Sequence, residues 1–509
     1  MSKPRYYVTS AIAYPNGRPH MGHAYEAIAT DVIARFKRLD GFDVRFLTGT
    51  DEHGLKIDQA ARAAGKAPQA YVDEMVAPFR ELDEALGISF DRFIRTTDAD
   101  HKALAQALWQ RMAGDLYLGR YEGWYSVRDE AYYDEAELVA DGDGTRLSPH
   151  GAPVEWTAEE SWFFRLSAYQ DRLLELFDSQ PGFIQPTSRF NEMRAFVAGG
   201  LSDLSVSRTS FTWGIAVPGG ADPAGQQHVM YVWLDALANY LTGAGGLDGE
   251  WWPADLHVVG KDVVRFHTVY WPAFLMSAGI ALPKTVFGHG FLLNRGEKMS
   301  KSLGNVVDPA AMVERFGVDR LRWFLCREVA FGEDGSYSDE AIVERTNADL
   351  ANGIGNLAQR SLSMVAKNLG GIMPVRGPAG DSELRLKDAF AAGTENYFTA
   401  MNALALHKAL DAIMTMVAAA NGYFAENAPW TLAKNDTARM AQVLAATLDA
   451  TRRIVILAQP FMPEGSARVL GQLGVAADAR DYNDLNTPVE AGLQLPAPAG
   501  VFPRITLEG

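Results

Sequence analysis

His20 and His23 stand three residues apart at the opening of a helical pattern, so both imidazoles fall on one helix face, beside the unpaired backbone N–H groups and the positive end of the helix dipole. Anions bind in such places. Gly22 between them lets a flat ligand approach the backbone, and Pro15, Gly17 and Pro19 shape the turn before them. A second cationic element lies far downstream in GEKMSKSLGN, residues 296–305, where Lys298 and Lys301 are three apart, set among Ser300, Ser302 and flanking glycines, with little to pack besides Met299. Alone, the histidine pair reads as a helix cap and the lysine loop as solvated surface. Together, on one sheet edge, they would meet the charge of a phosphate chain from two sides.

The elements that must carry these residues follow from the pattern. Residues 5–13, RYYVTSAIA, read as a strand, YPNGRPHMGH as a turn, and the stripe Ala24, Ile28, Val32, Phe36 as one face of a helix ending near LDG at 39–41. A second strand begins at Asp43, which completes a βαβ unit and predicts a parallel sheet with ligands at the strand C-termini. LHVVG at 256–260, a helix through VVRFHTVYWPAFLMSAG and TVFGHGFLL at 285–293 form a second set, which brings the lysine loop out at the same edge as the histidines. The intervening stretch, rich in aromatics, glycine and acidic turns, reads as an insertion into one split α/β domain. The expected division is 1–115 and 216–346 for the two halves of that domain, 116–215 for the insert, and 347–509 for an alanine-rich helical bundle with a polar tail.

Composition limits the classes available. At 509 residues and 48% hydrophobic the chain can build large cores. Its longest nearly uncharged run, residues 271–283, is far short of the roughly 20 residues a bilayer requires, so no membrane partner is expected. The N-terminus has neither secretion-signal nor transit-peptide layout, and the sole cysteine, Cys326, lies in the apolar run LRWFLC; both point to a cytoplasmic protein without disulfides. The net charge of −16 argues against non-specific nucleic-acid binding, but from Ala348 onward 13 Lys/Arg face 15 Asp/Glu, so that segment is nearly neutral. An RNA partner would be held there by local patches.

HMGH at 20–23 paired with KMSKS at 298–302, in this order on the two halves of a split βαβ fold, resembles the twin signature of class I aminoacyl-tRNA synthetases, which activate an amino acid with ATP. Within that class the chain resembles the methionyl-tRNA synthetase family along nearly its whole length, through AIAYPNGRPHMGH, GTDEHG at 49–54, VSRTSFTWG at 206–214, YVWLDALANY at 231–240, HGFLLNRGEKMSKSLGN at 289–305, and GNLAQR and ENAPW in the bundle. The resemblance implies a split Rossmann-like parallel-sheet catalytic domain with an inserted connective domain, followed by an all-α anticodon-binding bundle.

It also implies roles. His20, Gly22 and His23 on one side and Lys298, Ser300, Lys301 and Ser302 on the other would bind ATP, accompanied by Mg2+, with the histidines and lysines acting in catalysis. Ala11, Ile12, Tyr14, Trp233, Ala236, Tyr240 and His289 would wall the methionine slot and Asp51 would bind the substrate ammonium, a set consistent with the attraction of sulfur for aromatic edges. Leu237 departs from the family pattern, which carries proline there, and Arg208 matches a family arginine near the active centre. Asn356, Arg360 and Trp430 would read the CAU anticodon of tRNA(Met) by hydrogen bonding and stacking. Where many family members carry a cysteine zinc knuckle, this chain offers Ser126, Asp129, Ser148 and His150, a set too weak for structural zinc, so no bound zinc is expected and the aromatics Trp124, Tyr125, Tyr132 and Tyr133 would hold the insert. The short polar tail after the bundle predicts a monomer. Two other readings are a class I synthetase for another apolar amino acid, which an insert of only about 100 residues disfavours, and a tRNA-binding paralogue without catalysis, which the intact signatures disfavour.

Overall fold

The structure, a computed structural model, describes residues 3–140, 145–221, 225–298 and 307–507. At its centre is a six-stranded parallel sheet of β1 (Arg5–Ser10), β2 (Asp43–Thr50), β3 (Arg92–Arg95), β4 (Ile184–Gln185), β5 (Leu256–Gly260) and β6 (Val286–His289), in the order β3-β2-β1-β5-β6-β4. Val8 registers with Phe46 on one side and Leu256 on the other, so the two halves meet at β1 and β5. The chain winds outward in opposite directions from that pair, which opens a crevice at its C-terminal end.

The central strands are almost continuously apolar because both faces are covered. Val8, Val258 and Phe287 pack with α1 (Met21–Leu39) in one core, while Tyr7, Val259 and Val286 pack with α2 (Val232–Ala244) in the other. Leu237 is buried in α2, which runs through that position without a break.

The segment 116–215 divides its allegiance. Leu116–Ser126 and Glu155–Phe164 pair as long antiparallel strands of a four-stranded sheet, but the chain then returns to the main sheet, where β4 pairs with β6 at the edge. Tyr132, on the neighbouring strand Ala131–Tyr133, lies tilted against Tyr121 at 4.0 Å and Tyr125 at 4.9 Å, and Trp124 meets Trp156 edge-on at 5.3 Å.

The bundle is built from Asn356–Asn368, Asp381–Asn402, Leu406–Asn427, Thr437–Ala458 and Pro463–Gln472. It shares one continuous core with the α1 face of the sheet, so the two are packed as one body. Cys326 is buried there, its thiol pushed up to about 12 by burial, which makes it inert. The polar tail is more structured than its sequence suggests: Phe502 is buried against Gly355 and Gly465, and Asn347 exchanges hydrogen bonds with the backbone of Ile505.

Candidate active site

At the crevice the N-terminus of α1 is capped by His20, whose Nδ1 accepts from the backbone N–H of Gly22 at 3.1 Å. Nδ1 of His23 accepts in turn from the N–H of His20 at 3.1 Å, and the two rings lie 3.9 Å apart. A nitrogen that accepts carries no proton, so both rings are neutral and hold their proton on Nε2. Burial and the neighbouring His20 keep His23 well below the usual imidazole range. The structure therefore supplies two neutral N–H donors at a helix N-terminus. A Cβ on Gly22 would come within 2.9 Å of the His20 ring, which explains the glycine between them.

These residues open one cleft of about 800 Å3. The same cleft is lined by Ala11, Ile12, Tyr14, Asp51, Trp233, Ala236, Tyr240 and His289, so the structure brings the whole expected methionine set beside His20, Gly22 and His23. Asp51 is buried; desolvation, reinforced by Asp235, Glu130 and Glu52, drives its carboxyl well above its ordinary value, and Oδ1 has no protein partner. An isolated carboxylate in such a place is stabilised by a cation. Trp233 stacks on Phe266 at 3.7 Å, with its buried Nε1 likewise unpartnered.

Tyr240 is held by a residue the sequence pattern did not single out. Nδ1 of His267 donates to the carbonyl of Val263 at 2.9 Å, so its Nε2 accepts the Tyr240 hydroxyl proton at 2.7 Å; burial lowers His267 to about 4 and keeps it neutral. His289 is the opposite case. Burial opposes its charge, but Glu26 at 2.8 Å and the Gly290 carbonyl at 2.9 Å outweigh it and raise its pKa. Beneath the slot, Asp235 on α2 accepts from His53 at 2.6 Å and His101 at 2.7 Å.

Two groups fall elsewhere. Arg208 does not line the cleft: it is buried at the junction of insert and main domain, its guanidinium 4.3 Å from the Tyr132 ring and 4.5 Å from that of Tyr231. Ser300, Lys301 and Ser302 lie outside the described residues, and Lys298 is described only as backbone in a short strand with Glu297. The residues that reading the sequence missed, Glu26, Glu130, His53, Asp235 and His267, act through partners distant in the chain. Glu26 alone had a local signal, lying three residues beyond His23 on the same helix face.

Some distance along the bundle, Asn356 opens its helix directly after the π-helical stretch Asn347–Gly355, and Arg360 follows one turn later. The Arg360 guanidinium sits 5.6 Å from the Trp430 indole and 4.9 Å from the Phe424 ring, and Trp430 is 44% exposed. In the insert, the residues weighed as zinc ligands bond among themselves: Ser148 donates to Asp129, the Asp129 N–H donates to Ser126 Oγ at 3.2 Å, and Tyr133 donates to Asp129 at 3.2 Å. Among the described residues no group of three or more His, Cys, Asp or Glu converges as a metal site.

The split parallel sheet thus brings the imidazole pair and the buried Asp51 carboxylate, with its partnerless Oδ1, to one cleft. The family model described as tRNA synthetases class I (M) matches residues 6–362, and that of the anticodon binding domain of methionyl tRNA ligase matches 373–509. The chain belongs to the methionyl family of class I tRNA synthetases. It is 57% identical to the methionine–tRNA ligase of Mesorhizobium japonicum over 99% of this chain and 98% of that protein. Its fold matches the Mycobacterium tuberculosis methionyl-tRNA synthetase in complex with methionyl-adenylate with a TM-score of 0.95 at 56% identity, covering 98% of this chain and all of that one. The apo form of that synthetase gives 0.88 at 51% identity, covering 100% and 99%.

Proposed function

We infer that the chain is a methionine–tRNA ligase: it joins methionine to ATP as methionyl-adenylate and passes the methionyl group to the 3′ end of tRNA(Met). The observation that carries this reading is the partnerless Asp51 Oδ1 in a slot walled by Trp233 and Tyr240, opening onto the His20–His23 helix end. Asp51 holds the substrate ammonium, and Ala11, Ile12, Tyr14, Ala236 and His289 complete the wall around the thioether. The methionine carboxylate attacks the α-phosphorus and pyrophosphate leaves, so no protein nucleophile is needed; positioning and charge stabilisation supply the rate. The Nε2–H groups of His20 and His23 hold phosphate oxygens without adding positive charge of their own. Lys298 and Lys301, with Ser300 and Ser302, meet the charge that grows on the pyrophosphate. Mg2+ would accompany the ATP phosphates as their counter-ion.

The domain division at 115, 215 and 346 assigns activation to the split domain and recognition of the CAU anticodon to Asn356, Arg360 and Trp430. No helix among the described residues is long and apolar enough to cross a membrane; we place the protein in the cytoplasm as a monomer, and light scattering giving twice the chain mass at micromolar concentration overturns the latter. Methionine-dependent exchange of pyrophosphate into ATP tests the whole reading. Exchange driven by leucine or valine instead would make it another class I synthetase, and tRNA binding without exchange a paralogue that has lost catalysis.

A further inference from the structure

Glu130 belongs to the insert, yet it lines the same cleft as Tyr14, Asp51 and Trp233. Its backbone has φ +52, a left-handed conformation that a residue with a side chain keeps only where its surroundings impose it. The side chain is buried and held from several directions. Oε1 accepts from the Lys56 backbone N–H at 3.2 Å and lies 3.0 Å from the Tyr14 hydroxyl, Oε2 accepts from Tyr125 at 2.5 Å, and the Glu130 carbonyl accepts from Tyr231 at 2.7 Å. These partners come from the turn before α1, from the helix Leu55–Ala63, from the insert and from the residue that caps α2.

The surroundings are built to admit this contact. A Cβ on Gly54 would meet the Tyr14 hydroxyl at 2.8 Å and Glu130 Oε1 at 3.1 Å. The single phenolic proton of Tyr14 faces two acceptors, the His53 carbonyl at 2.7 Å and Glu130, so the ring is pinned between the main domain and the insert. The Lys56 ammonium covers its face at 4.9 Å. Arg208 stacks on Tyr125 and Tyr231, the two phenols that grip Glu130, at 5.5 and 4.5 Å.

We propose that Glu130 is a positioning residue for methionine binding: acting through Tyr14, it sets the aromatic wall of the slot and makes methionine affinity depend on the insert being seated. The proposal rests on the ligase reading above. A residue that merely held the insert together would, when changed, lower stability and affect both substrates alike. A positioning residue shifts methionine alone, because Tyr14 belongs to that slot.

The test uses the full chain in pyrophosphate exchange, with methionine and ATP varied separately, for wild type, Glu130→Gln, Tyr14→Phe and the double variant. Glutamine keeps the shape but offers one acceptor oxygen where two are used, so the methionine KM is expected to rise about tenfold, the upper end of what one hydrogen bond is worth, with the ATP KM unchanged. The double variant is expected to be no worse than Tyr14→Phe, since both act through one contact. An unchanged methionine KM, an equal rise in both KM values, or effects that multiply would each overturn the proposal. Should Glu130→Gln fail to fold, Tyr14→Phe alone must give the same methionine-specific rise, and its absence is equally fatal. Loss of methionine-dependent exchange in the wild type would sink the ligase reading itself, whereas normal wild-type exchange with a normal methionine KM in Glu130→Gln sinks only the role of Glu130.

Discussion

Arg322 and Asp31 form an ion pair at 2.6 Å in which both side chains are fully buried, and it fastens the helix Val318–Glu328 to α1. Arg322 also donates to the carbonyls of Leu86, Pro460 and Phe461, so one guanidinium joins the sheet domain to the helical bundle. Burial opposes the charge on Asp31, but Arg322, Arg35 and Ser89 outweigh it and hold the carboxyl below its ordinary value. Asp31→Asn leaves a buried cation without its counter-charge and is expected to cost about 3–5 kcal/mol in urea unfolding, while pyrophosphate exchange below the melting point persists. A loss under about 1 kcal/mol would mean that the carbonyls alone satisfy Arg322.

Asp235 gives a pH dependence of stability. Burial opposes its ionisation, but His53 and His101 overcome that and bring it from 3.8 down to about 2. A carboxylate depressed by folding stabilises the protein above its unfolded pKa and loses that contribution as pH falls through the folded value. About 2 kcal/mol is therefore expected to fade between roughly pH 4 and pH 2. The stability gap between wild type and Asp235→Asn, measured by denaturant midpoint, should narrow across that window; a gap that widens in acid contradicts the assignment.

Lys301→Ala is expected to slow adenylate formation by roughly 10²–10³-fold, because the charge it meets develops mainly in the transition state, and to leave methionine affinity near wild type. Pre-steady-state kinetics separates the two. Normal activation with weakened methionine binding would remove Lys301 from the chemistry.

What the sequence made legible was local. The histidine pair, the βαβ units and the helical bundle each show within a short window, because helix capping and hydrophobic period are properties of neighbours in the chain. The illegible parts are contacts between distant positions: His289 meets Glu26 across 263 residues, and Tyr14 meets Glu130 across 116. Neither pair leaves a trace in composition or spacing. The strand Ile184–Gln185 was lost for another reason, since two residues are too few for a period and its place in the sheet is set by β6 beside it. The folded-back tail is anchored by single residues such as Phe502, which no polar average reveals.

In the insert, Ser126, Asp129 and Ser148 are hydrogen-bonded to one another. Hydroxyls and one histidine bind zinc poorly, so elemental analysis of tag-free protein is expected to give far less than one zinc per chain, and a chelator to leave the melting temperature unchanged. Stoichiometric zinc, or unfolding on chelation, would show that these residues act as ligands after all.

On the proposed reading Trp430 serves recognition of tRNA and takes no part in activation. At 44% exposure, with its indole beside Arg360 and Phe424, it is a surface ring braced on one side rather than a core residue. It sits in the bundle, directly after Ala428 and Pro429, where the left-handed φ of +40 at Ala428 turns the chain into a new helix. Stacking on an unpaired base is worth roughly 1–3 kcal/mol, or about five- to hundred-and-fifty-fold in affinity. Trp430→Ala is therefore expected to weaken tRNA charging by that factor, mostly through the KM for tRNA, while pyrophosphate exchange and the melting temperature stay near wild type. Truncating a buried tryptophan would instead cost roughly 3–5 kcal/mol and depress every activity together. Charging, exchange and melting measured on one preparation distinguish the two, and parallel loss of all three would return Trp430 to a structural role.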